Sequence, residues 1–144
     1  MGTDFSATLI RKDSPEHTLW KHVLVHAIEE SLLAQNDRKS SIFKSQAYVW
    51  LLQNSKDFKL VCYFGGFDPD NIRIKYQRAV NRGSVVFTEK QIAWVKYANQ
   101  YNRYKGCQDH ESRAYHRKHM EHLRNVVNRT PNVVVSMVAI SKLV

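Results

Sequence analysis

A pair of glycines, Gly65-Gly66, followed after one residue by Asp68-Pro69, restricts this chain more than any other feature. The first pair stops a helix and the second starts one, so two helices must meet at a tight turn. Ser55 is placed to cap a helix over residues 56–64, with Phe58, Val61 and Cys62 on one face. Gly65 or Gly66 is expected in the left-handed conformation that closes it. Asp68 then caps a fourth helix, with Pro69 at the first position, where its missing donor costs nothing. Ile72, Tyr76, Ala79 and Val80 of that helix point inward, leaving Arg73, Gln77 and Lys75 or Arg78 toward solvent. Two apolar-faced helices joined this closely, the second basic, suggest a helix-turn-helix reader of DNA. The turn is a residue or so off the commonest spacing.

The remaining elements follow from the same signals. Residues 1–13 read as an arm, with Phe5, Leu9 and Ile10 available to dock it. Ser14-Pro15 opens a first helix expected to run to about Ala34, where Gln35-Asn36-Asp37 ends it. Leu19, Trp20, Val23, Leu24, Ala27, Ile28 and Leu32 give it one wide apolar face. Ser40-Ser41 caps a second helix to about Gln53, with Ile42, Phe43, Ala47, Trp50 and Leu51 buried. Val85-Val86-Phe87 reads as a brief extended segment. Thr88-Glu89 starts a fifth helix that Gly106 stops, packed through Ile92, Trp94 and Val95. Asp109 caps a sixth to about Asn128, carrying Ala114, Tyr115, Leu123 and Val126-Val127. The β-branched tail, VVVSMVAISKL, suits a strand, an edge pairing with a second copy, or a short docked helix. The expected fold is therefore all-α, with five or six helices and a short apolar C-terminal tail. Its expected divisions are an arm (1–13), a helical scaffold with the helix-turn-helix unit (14–82), a basic aromatic extension (83–130) and the tail (131–144).

Charge points to a polyanion. The chain of 144 residues has a formal net charge of +9. Residues 1–54 balance, with six Lys/Arg and six Asp/Glu, and the whole excess lies beyond them. From Arg73 to Lys105 there are eight bases and one acid, Glu89. A basic block beside a neutral one reads as a nucleic-acid surface carried on a scaffold. No run of roughly 18 apolar residues suggests a membrane span. The N-terminus lacks a signal-peptide pattern, and two cysteines make no disulfide framework, so a cytoplasmic protein is expected.

Candidate contacts follow from side-chain chemistry. Arg pairs with guanine and Asn or Gln with adenine, so Asn71, Arg73, Lys75 and Gln77 suit base edges. Arg78 and Arg82, with Lys90, Lys96 and Arg103 further on, suit backbone phosphates. Helix five interleaves bases with Trp94, Tyr97, Tyr101 and Tyr104, a mixture able to stack exposed bases, although aromatics at this spacing more often form core. Cys107, His110, His116 and His119 would supply four zinc ligands. Arg113, Arg117 and Lys118 interrupt them with positive charge, so no metal and no cofactor is expected. Glycine-rich phosphate loops, nucleophile elbows and HExxH are all missing, and no enzyme is expected.

The segments WKHVLVHAIEE, AYVWLL and DFKLVCYFGGFDPDNIRIKYQRA together resemble a group of small helical proteins from bacteriophages, prophages and alphaproteobacterial genomes. Trp20, Ala27, Ala47, Trp50, Asp57, Phe58, Val61, Cys62, Gly66, Asp68, Pro69 and Arg73 carry the resemblance, which covers less than half the chain and stops before Val80. It implies a phage-like origin, and among its residues only Arg73 transfers as a contact.

The leading expectation is a sequence-selective binder of double-stranded DNA, of the phage transcription-regulator kind. The same residues accommodate two other classes. One is a packaging or architectural DNA binder. The other is a protein-interaction module that meets RNA polymerase or a host defence component. A homodimer, through the fifth and sixth helices or the tail, is compatible with each.

Overall fold

Among the described residues each α-helix begins at a side chain that accepts a backbone N–H within its first turn. In the computed structural model, which describes residues 14–136 and 138–144, Ser14 caps α1 (Pro15–Glu30) by accepting from His17 N–H. Asp37 caps α2 (Arg38–Leu52) by accepting from Ser40 N–H at 3.1 Å. Ser55 does the same for α3 (Lys56–Phe64), Asp68 for α4 (Pro69–Asn81), Thr88 for α5 (Glu89–Gly106) and Asp109 for α6 (His110–Arg129). These bonds satisfy donors that a helix start leaves unpaired. The fold is all-α, with a single two-stranded ladder among the described residues. In it β1 (Val86–Thr88) pairs antiparallel with β2 (Val134–Ser136), Phe87 opposite Val135. A 3₁₀ turn follows at Ile140–Lys142.

Several local expectations are corrected. The first helix stops at Glu30 rather than Ala34, because Ser31 turns its hydroxyl back onto the Ile28 carbonyl at 2.7 Å. α2 starts three residues before Ser41, because Asp37 outcompetes Ser40-Ser41 as the cap. The wide apolar face of α1 is only partly used: His17 and Leu24 are buried, while Leu19, Val23 and Leu32 are exposed. In α2, Phe43 is exposed and Lys44 is buried. In α6, Ala114 and Tyr115 are exposed, and the inward stripe is His116, Met120, Leu123 and Val127. Of the alternatives for the tail, Val134–Ser136 takes the strand, paired with β1, and the 3₁₀ turn follows it. The N-terminal arm of residues 1–13 lies outside the described residues.

The chain divides into two compact units. The described part of the first comprises residues 14–33 and Gln46–Val85. Its core gathers Leu24, Tyr48, Leu51, Phe58, Cys62, Ile72, Tyr76 and Val80. Trp50 packs edge-on against Phe58, with ring centroids 5.1 Å apart, and its indole N–H donates to Asp57 Oδ2 at 2.8 Å. Gly65 and Gly66 close α3 by different means. A Cβ at Gly65 would meet the Lys21 backbone nitrogen at 3.3 Å, so the missing side chain lets α1 approach. Gly66 takes φ +80°. Its N–H reaches Tyr63 O while Phe67 N–H reaches Cys62 O, a Schellman closure with Phe67 buried beneath it.

The second unit comprises Ala34–Ser45 and Val86–Val144. Here α5 and α6 form an antiparallel hairpin whose centre is Ala93, Tyr97 and Val127, flanked by Trp94, Met120 and Leu123. Gln100, fully buried, ties the two helices by donating to His116 Nδ1 at 2.8 Å. At the other end, Thr88 and Gln91 form a capping box.

Candidate nucleic-acid interface

Two surfaces correspond to the expected contacts, one in each unit. In the first, α3 and α4 are joined by the four residues 65–68, a turn length compatible with helix-turn-helix units. The residues expected to contact DNA here, Asn71, Arg73, Lys75 and Gln77 at base edges and Arg78 and Arg82 at phosphates, are unequally presented. Gln77, Arg78 and Arg82 are exposed, whereas Asn71, Arg73 and Lys75 are half-buried. Arg73 Nε is buried without a hydrogen-bond partner among the described residues, so part of this guanidinium is committed to the fold. Gln77 donates to Asn81 Oδ1 at 3.0 Å, which orders its amide on the outer face. The same face exposes Ile74, and its first turn carries Asp70. Carboxylates there favour the helix dipole but repel phosphate.

The second surface holds nearly all the charge excess. The second unit carries thirteen Lys/Arg and five Asp/Glu, a net of +8 out of +9. The described part of the first unit has seven against six. Lys90 is half-buried, while Lys96 and Arg103 are exposed on α5. On α6, Arg113, Arg117, Lys118, Arg124 and Arg129 are all exposed.

The hairpin register brings Arg113 and Arg117, one turn apart, onto Tyr104. Each guanidinium donates to the Tyr104 hydroxyl at 3.3 Å. Their carbon centres lie 4.9 and 5.8 Å from the ring centroid. The two arginines, Arg117 first, hold the phenol below its ordinary pKa, because donated hydrogen bonds and positive charge favour the phenolate. No carboxylate of the described residues pairs with either arginine, and Glu121 acts on Arg117 only at a distance. Two guanidiniums anchored on a phenol keep N–H donors free for an oxyanion. From sequence, Arg113 and Arg117 stand out only as positive charges that oppose a metal. The signal in the sequence is their spacing of four, which puts both on one face of a helix.

The helix-five aromatics are mostly spent within the unit. Tyr97 is buried and stacks on Tyr101 with centroids 6.5 Å apart. The Arg38 guanidinium covers both rings, at 5.1 and 5.3 Å. Trp94 donates its indole N–H to Asn36 O at 3.0 Å. On α6, Tyr115 is 70 % exposed. Cys107, His110, His116 and His119 do not converge: Cys107 Sγ donates to Arg103 O, and His116 faces Gln100. Among the described residues no group of three or more His, Cys, Asp or Glu side chains is placed to hold a metal ion. No helix there is long and apolar enough to cross a membrane.

No protein-family model, curated protein or solved structure matches the chain.

Proposed function

We propose that the protein binds double-stranded DNA, its second unit supplying backbone contacts and α4 of its first supplying base contacts. The observation that carries this reading is the segregation of +8 of the +9 charge into one unit. That excess includes two arginines held on a tyrosine rather than neutralised by carboxylates. Arg113, Arg117, Arg103 and Lys96 engage phosphates, and exposed Gln77 addresses base edges together with Arg78. Arg78 moves from the phosphate role expected of it because it is exposed where Arg73 is half-buried, leaving Arg73 in a supporting place. Such a division fits a sequence-selective regulator of phage type. The test is fluorescence anisotropy with a random-sequence duplex pool at low and moderate salt, followed by sequencing of the retained fraction. Affinity that falls steeply with salt, with an enriched motif, supports the reading. Salt-sensitive binding without a motif reassigns the protein to packaging or architectural binding, and no binding at low salt overturns it.

A second reading has its own observation. α3 exposes Leu60, Tyr63 and Phe64, and α1 exposes Leu19, Val23 and Val25. A protein partner such as RNA polymerase would cover these apolar side chains, and its binding would resist salt. Changing Leu60 and Tyr63 to Ser would abolish that binding and leave DNA affinity intact.

A further inference from the structure

Two adjoining cavities in the second unit, of about 430 and 400 Å³, share Lys96, Leu123 and Lys142. Their chemistry differs. The first is walled by Ile92, Ala93, Val126 and Val135, with Glu89 as its acid. The second is lined by Lys96, Arg103, Lys142 and His119 and by no Asp or Glu side chain, with Asn99, Leu123, Ser141 and Val144 completing the wall. Lys96 and Arg103 stand two turns apart on α5, while Lys142 comes from the 3₁₀ turn near the C-terminus. Arg103 commits one N–H to Gln100 Oε1 at 3.4 Å and keeps the rest of its donors. Three basic side chains around a concave space raise the local positive potential, and low-dielectric walls focus it. Each volume falls in the range of small-molecule sites, which are largely apolar with a few convergent polar groups.

We infer that these joined cavities bind a small amphipathic anion, its phosphate or carboxylate head among Lys96, Arg103 and Lys142 and its apolar body against Ile92, Ala93 and Val126. Glu89, at the apolar end, rejects a second anionic group there, so the ligand is charged at one end only. A phosphate head, with more charge and more acceptor oxygens than a carboxylate, gains more from three cations. The site shares Lys96 and Arg103 with the proposed phosphate contacts, so it is tested in the absence of DNA and through Lys142, which has no part in those contacts.

The experiment is isothermal titration calorimetry on the full chain with octyl phosphate, octanoate, octyl glucoside and inorganic phosphate. Saturable one-to-one binding of octyl phosphate or octanoate is expected, at least tenfold tighter than either the neutral glucoside or inorganic phosphate. The tighter of the two acids identifies the head group. Lys142→Glu, an exposed change, should weaken binding at least tenfold, and Val126→Trp should block it. If Val126→Trp fails to fold by circular dichroism, Lys142→Glu decides alone. Lack of saturable binding by both acids, equal binding of the glucoside, or an unchanged affinity in Lys142→Glu would overturn the inference.

Discussion

Lys44 Nζ donates to Gln91 Oε1 at 3.0 Å, joining residues 47 positions apart in a part of the second unit where neither side chain reaches solvent. The ammonium also donates to Val86 O and lies 4.7 Å from the Phe87 ring centroid. Gln91 serves more than Lys44. Its Oε1 accepts from Thr88 N–H at 3.0 Å, and its amide donates to Gln35 O at 2.8 Å. Thr88 in turn donates its hydroxyl to Asn36 Oδ1. A buried charge without a carboxylate is held here by oriented dipoles and a ring face. Burial lowers the Lys44 pKa from 10.5 to about 8.

Removing the hub should cost more than removing the charge. Gln91→Ala takes a partner from the buried Lys44 ammonium and from Thr88 N–H, while exposed Gln35 can turn its carbonyl to water, a loss of about 2–6 kcal/mol at roughly 1–3 for each of the two orphaned groups. Lys44→Met replaces the charge by an apolar chain of similar length and should cost no more than about 1 kcal/mol, since buried charges are often replaced at little loss. Urea denaturation of both variants measures the difference. Equal costs would show that Gln91 is not the centre of the network.

Stability should rise and then fall across alkaline pH. With its folded pKa depressed, Lys44 contributes stability present above 10.5 and lost as pH falls to about 8. Cys62 has the opposite sign. Burial, then the Asp68 charge, push its thiol from 9.0 to about 12, so its contribution is lost as pH rises above 9. Tyr48 and Tyr76, raised from 10.0 by burial, add to that loss beyond 10. Melting temperature should therefore climb from pH 8 to 9, level off, and drop above 10. Lys44→Met should remove the climb and keep the drop.

Tyr104 reports the arginine pair directly. Its phenol should titrate below a free tyrosine in the ultraviolet spectrum, and Arg113→Ala or Arg117→Ala should move it back toward 10.0. Each arginine variant should also weaken binding to all duplex sequences alike and reduce the salt slope by about 1, the behaviour of a phosphate contact. Melting temperatures should stay unchanged, because all three side chains act at the surface.

Arg73 and Arg78 should separate stability from recognition. Arg78→Ala, at an exposed position, should relax preference at one base pair by about 1–3 kcal/mol without altering the melt. Arg73→Ala withdraws a side chain whose Nε is buried, so its main effect should fall on stability. A selection experiment on both variants, run beside their melting curves, distinguishes them. The reverse pattern would return Arg73 to the base-reading role that sequence alone suggested.

The glycines should differ in the kind of strain they relieve. Gly83 has φ +80° with nothing within 4 Å of an added Cβ, so Gly83→Ala should cost only the left-handed backbone penalty, about 1–2 kcal/mol. Asn at this position should recover part of it. Gly65→Ala has an ordinary φ of −80° and instead forces the Lys21 and Trp20 backbone away. Asn should be worse than Ala there.

The helix starts were legible because each cap is a bargain between neighbours. Ser14, Ser55, Asp68, Thr88 and Asp109 bond N–H groups two or three positions on, so the pattern is complete within one turn. The stop at Gly65-Gly66 is equally local. Apolar periodicity was a weaker guide. It placed Leu19 and Val23 inside, but periodicity measures how wide a face is and does not reveal how much of it a partner helix covers.

For the sites, sequence alone determined residue types and the sign of the charge: a basic second half rich in Arg, and a helix pair closed by glycine. Tertiary structure alone decided which groups meet. Tyr104 touches Arg113 and Arg117 only because α5 and α6 fold back in one register, and the tail becomes a strand only because β1 offers its edge. Lys44 is buried only because Val86 O and Gln91 lie across from it. The physical reason is range. A cap hydrogen bond is chosen among a handful of adjacent residues, whereas a buried ammonium or a shared phenol needs partners 9 to 47 residues away, which the chain's path brings within about 3 Å.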